Sequence, residues 1–124
     1  MTIEADIKTT LDAYGGLSSL ISTRSYSGRL PQNPTYPNVY YERVFTEPSN
    51  TLGARNILTN VRFQFEVRAT TVLSKDNVVA QLKAAMEAAT LFTALYTDEV
   101  VLPFEDEIQT YRSDIDFSIW YKDN

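Results

Sequence analysis

From residue 114 to residue 121 two kinds of position alternate. Ile115, Phe117, Ile119 and Tyr121 fall in one phase, and Asp114, Asp116, Ser118 and Trp120 fall in the other. Period two predicts a β-strand with one face on a core and the other on water or a partner. Residues 60–72 repeat the pattern: Val61, Phe63, Phe65, Val67 and Ala69 face inward, and Arg62, Gln64, Glu66 and Arg68 face outward. In residues 38–45 the apolar side chains Val39, Tyr40, Tyr41, Val44 and Phe45 occupy both phases, which predicts a strand covered on both faces. Two further strands are expected, over residues 25–30 and residues 99–105, the latter forming a hairpin with the terminal strand.

Helical spacing appears twice. Ile3, Ile7 and Leu11 recur every four residues behind Thr2, a good N-cap, with Glu4 and Asp6 in the first turn. Gly15-Gly16 is expected to stop that helix, and residues 17–21 to add one short helical turn. The second helix is expected from a Ser74 cap, with Asp76 in its first turn, to about Phe92 or Leu95. Val78, Val79, Leu82, Met86, Ala89 and Phe92 form its buried side, and Ala84, Ala85, Ala88 and Ala89 keep it slim against a sheet. Between the strands lie two irregular stretches. Pro31, Pro34 and Pro37 stiffen a surface crossing, whose two P-x-x-P spacings are read as structural because the segment joins two strands. Residues 46–58 contain Pro48, Gly53 and two asparagines, and read as a long loop, either a binding loop or a disordered one.

These elements give one domain over residues 1–124. Its fold class is α+β: an antiparallel sheet with helices packed on one face, in the order α-β-β-(long loop)-β-α-β-β. A chain of this length buries roughly two-thirds of its unfolded surface, so it needs no staple. It has none from cysteine, which is absent, and the absence of histidine removes the commonest general base and metal ligand. The net charge of −5 argues against a free-standing nucleic-acid binder. No apolar run approaches a membrane span, so no membrane partner is expected, and the first residues lack the signature of a signal peptide. Proline in the middle of Asn33-Pro34-Thr35 blocks that sequon.

Candidate chemistry is sparse. Asp114 and Asp116 lie on one strand face about 7 Å apart, too far to chelate an ion unaided. The run Glu105-Asp106-Glu107 lacks calcium-loop spacing and reads as a solvated turn. A carboxylate pair serves glycoside hydrolysis only within a pocket, and no nucleophile stands beside a base. Arg62 and Arg68 are expected to pair with Asp114 and Asp116 if their strands are neighbours. Trp120, in the polar phase, either covers an edge of its own domain or anchors an interface. The expected partner or subunit interface therefore comprises Thr51, Leu52, Arg55 and Asn56 in the long loop, with Arg62, Arg68, Asp114, Asp116 and Trp120 on the sheet. No catalytic residue, metal or cofactor is expected.

The sequence order also carries a resemblance. Ile3-Glu4-Ala5, Arg29-Leu30-Pro31, the strand Val39-Tyr40-Tyr41-Glu42-Arg43-Val44, the strand at residues 61–67, one long helix and the close Tyr111-Arg112 … Asp116-Phe117-Ser118-Ile119-Trp120-Tyr121 follow one another as in a known family. The chain resembles the tail-completion or tail-terminator proteins of long-tailed bacteriophages. The resemblance implies a hexameric ring of copies of this chain on the head-proximal end of the tail tube. Such a ring stops tube growth and docks on the head connector. The implied partners are the tube protein and the connector or stopper protein, with genomic DNA passing through the bore unbound. The implied setting is the virion tail, assembled in the host cytoplasm. Another head–tail joining or tube subunit, and a small-molecule-binding or enzymatic α+β domain, are the alternatives that the residues leave open.

Overall fold

The computed structural model of the chain describes residues 2–48 and 58–122. Three helices, α1 (Ile3–Ala13), α2 (Gly15–Ile21) and α3 (Val72–Glu87), cover one face of a single five-stranded sheet. The strands are β1 (Ser25–Ser27), β2 (Asn38–Pro48), β3 (Leu58–Ala69), β4 (Thr93–Glu105) and β5 (Thr110–Lys122), in the spatial order β1-β2-β3-β5-β4. The expected α+β class holds. Four strands run antiparallel, and the short β1 adds itself in parallel to β2.

The two alternating stretches become the centre of the sheet. β3 and β5 pair along their whole length, Leu58 opposite Lys122 and Ala69 opposite Tyr111. Phe63 and Phe65 from β3 meet Phe117 from β5 and Tyr41 from β2, with ring centroids 5.4 Å apart for Phe65 against both Tyr41 and Phe117. The helices bury the matching apolar stripe. Ile3, Ile7 and Leu11 of α1, Leu17 and Ile21 of α2, and Val78, Leu82 and Met86 of α3 are all closed to solvent. The Tyr41 hydroxyl donates to the Glu4 carbonyl at 3.3 Å and fixes α1 on the sheet; burial pushes its pKa up to about 12. Lys8 Nζ ties the same helix to the carbonyls of Thr23 and Ser25, at 2.7 and 2.8 Å.

Several boundaries differ from expectation for local reasons. Gly15 and Gly16 do not terminate α1. Tyr14 leaves the helix in an extended conformation, and both glycines open α2, where a Cβ on Gly16 would run into the Gln81 carboxamide of α3. β1 is only three residues long because Gly28, at φ +80°, turns the chain off the sheet. Thr71, not Ser74, caps α3: its hydroxyl accepts from the Ser74 N–H at 3.0 Å. The helix stops at Glu87, and the freed segment lets β4 begin at Thr93, six residues before the expected start. Phe92 stays buried without being helical. The proline crossing is held down by Arg24, whose Nε donates to the Pro37 carbonyl at 2.9 Å.

Candidate assembly face

With the helices on one side, the other side of the sheet has no cover among the described residues. The outward phase of each strand makes up this open face, and strand register decides which side chains meet there. Gln64 stands opposite Asp116, Glu66 opposite Asp114, and Arg68 opposite Arg112. The expected pairing of Arg62 and Arg68 with Asp114 and Asp116 is therefore replaced by another network. Arg68 holds Glu66 at 2.8 Å and Glu105 at 3.0 Å, and Arg112 reaches Glu105 at 3.5 Å. Thr110 also donates to Glu105 at 3.0 Å. The acidic run thus divides. Glu105 is a half-buried partner of two arginines, while Asp106 and Glu107 sit exposed in the β4–β5 turn. Its role was hidden in the sequence because a bulge between Leu102 and Glu105 brings Glu105 to the open face.

The carboxylates on this face are not fully satisfied. Burial raises the pKa of Glu66, with Arg68 working in the opposite direction. Asp114 is raised by burial as well, against Arg112 and Arg68, and its Oδ1 has no hydrogen-bond partner among the described residues. Asp116 is raised by burial and then by Asp98, which stands directly opposite it on β4. Arg62 draws the Asp116 value back down from a diagonal position and forms no ion pair among the described residues. The face is thus a mixed-charge surface with an acidic excess toward β4 and β5. Trp120 completes it. This residue is 36% exposed.

The edges of the sheet complete the picture, and sequence reasoning missed both of them. β4 is a thirteen-residue edge strand with Leu95 and Val100 exposed on one face and Val101, 66% exposed, on the other. It is long and carries exposed apolar side chains, although two bulges, Asp98, Glu99 and Pro103 interrupt it. At the far side, β1 pairs only with residues 39–41 of β2. Beyond them residues 42–46 are all exposed, including Val44 and Phe45 at 55% each. The expected coverage of β2 on both faces is absent there, because a bulge between Arg43 and Phe45 turns Phe45 to the open face beside Arg62. A mix of polar and apolar outer residues in β4 gave no alternation to read, and edge position is a property of topology. Thr51, Leu52, Arg55 and Asn56 lie outside the described residues.

Among the described residues no three metal-ligating side chains converge, and no helix is long and apolar enough to cross a membrane. A groove of about 210 Å³ between α1 and the end of α3 is lined by Thr9, Thr10, Tyr14 and alanines, with no carboxylate or base.

Comparison with known proteins agrees with this picture. No curated protein matches the chain. Among solved structures, a chain from the "Virion of native gene transfer agent (GTA) particle" has a TM-score of 0.69 at 14% identity, covering 98% of this chain and 95% of that one. At that identity the likeness establishes a shared fold. Residues 5–122 match the family described as "Tail completion protein gp17". A match over nearly the whole chain assigns it, and the chain belongs to this tail completion family of phage tail structural proteins.

Proposed function

We propose that the chain closes the head-proximal end of a phage tail tube as a six-membered ring, ends tube polymerisation there and presents the surface on which the head connector docks. Its partners are further copies of itself, the tube protein and the connector, and DNA passes through the bore without specific binding. No catalysis or cofactor takes part.

The observation that carries this reading is the match of residues 5–122 to the tail completion family. The shape of the sheet supports it. A ring needs a heterologous contact, in which one patch meets a different patch of the next copy. Exposed apolar residues at two opposite edges and an uncovered face supply such patches. The solved neighbour, a chain of a virion particle, is in keeping with a fold used in assemblies of this kind.

The test is omission of the chain from an assembling particle, with tail length measured by electron microscopy. Overlong tails without heads are expected. Tails of normal length that merely fail to join heads would assign docking without termination, and normal particles would overturn the proposal. Native mass and microscopy of the purified chain, alone and with tube protein, test the ring itself.

A further inference from the structure

Resting on the ring reading, we infer that neighbouring copies join edge to edge, with β4 of one copy lying antiparallel beside the free half of β2 of the next. Among the described residues, β4 and the part of β2 beyond Tyr41 have no strand beside them, and they lie on opposite sides of one sheet. That is the placement a heterologous contact requires if it is to repeat around an axis.

Strand direction supplies the second argument. β2, β3, β5 and β4 alternate in direction across the sheet. Their number is even, so in a rotationally symmetric ring the last strand, β4, points opposite to β2 of the next copy. Closure therefore continues the antiparallel ladder; an odd number would have forced a parallel junction. The junction pairs backbone groups that otherwise face water, as in strand addition at an open sheet edge.

The third argument is the position of β1. It occupies only the first part of β2, and Gly28 then lifts the chain away, with its N–H on the Tyr41 carbonyl at 3.3 Å. A neighbouring β4 therefore pairs beyond Tyr41 and is staggered along β2. A stagger of this kind is what a closing sheet requires. It covers Val44 and Phe45 on one side of the junction and Leu95, Val100 and Val101 on the other, five of the apolar residues that the isolated chain leaves exposed.

The chain has no cysteine, so a cross-linking test is clean. Phe45→Cys is mixed, as full-length protein with tube protein present, with each of Leu95→Cys, Asp98→Cys, Val100→Cys and Leu102→Cys. All four share the face of Phe45 in register. A disulfide spans only the separation of directly adjacent strands. The expected result is a linked dimer in at least one mixture and none from any variant alone. A variant that links to itself reveals an isologous contact and overturns the junction. Rings seen by microscopy without any cross-link overturn the junction and leave the ring reading standing. Chains that remain monomeric and fail to bind tubes overturn both. As an independent check, Val100→Lys should keep the melting temperature and lose the ring; retention of the ring counts against the inference.

Discussion

At the scale of single residues, the open face carries a cost that water-facing strands normally avoid. Asp98 and Asp116 stand directly opposite each other across β4 and β5, and like charges in that register repel. Burial and this repulsion raise the Asp116 pKa above its ordinary value. A raised folded value means that the native chain binds more protons than the unfolded chain in the window between the two values. The associated stability is complete below the ordinary aspartate range and is lost as pH rises through the raised value. At neutral pH the penalty is therefore fully present. Asp116→Asn should stabilise the isolated chain by about half a kcal/mol at pH 7, after allowance for solvent screening of a group that is only partly buried. The gain should vanish as pH falls below the ordinary aspartate range. Thermal melts of both proteins across that range provide the check, and a gain that does not depend on pH would point to something other than charge. Glu66 titrates in both proteins and cancels in the difference, while Asp114, which also raises Asp116, adds to the change in the same direction.

At the scale of elements, the start of α3 gives a sharp comparison. The sequence pointed to Ser74 as the cap, but it is Thr71 whose hydroxyl accepts from a free N–H of the first turn. Thr71→Ala should cost about 1 kcal/mol in denaturant unfolding, and Ser74→Ala a few tenths at most. The reverse order would contradict the observed cap. The same segment shows what was legible in the chain. The centre of the sheet could be read because each of β3 and β5 is buried on one face along most of its length, so Phe63, Phe65, Ile115 and Phe117 imprint a strict alternation. The apolar stripes of α1 and α3 were equally plain. The edges were not legible. Nothing local says that Leu95 and Val100 sit on the last strand of a sheet, or that β1 stops after three residues and leaves Phe45 in the open. Arg68 and Trp120 were rightly placed on the outer face, but the partners of Arg68 depended on register and on the bulge before Glu105, neither of which a single strand encodes.

At the scale of the whole molecule, edge-to-edge joining has a consequence for the bore. In a closed ring of sheets one face must turn inward. The helices fill the space on one side of each sheet, so in the proposed ring the wider outside would suit them, and the uncovered face with Asp98, Asp114 and Asp116 would turn toward the axis. Six copies of a chain of net charge −5 carry −30 in all. If part of that charge lines the bore, through the acidic excess of the open face, it repels a phosphate backbone and lets DNA slide without adhering. Asp116→Lys tests this in assembled particles. The new side chain would face Asp98 across the strand pair, so the fold gains an opposite-charge contact in place of a repulsion. Each copy changes by two charges toward the attractive sign, repeated around the ring. DNA ejection should slow, and slow most at low salt, where counterion release on binding is most favourable. Tail length and particle yield should stay normal, which separates an effect on passage from one on assembly. Unchanged ejection from normal particles, at low and high salt alike, would place the open face away from the DNA and turn the helices toward the bore instead.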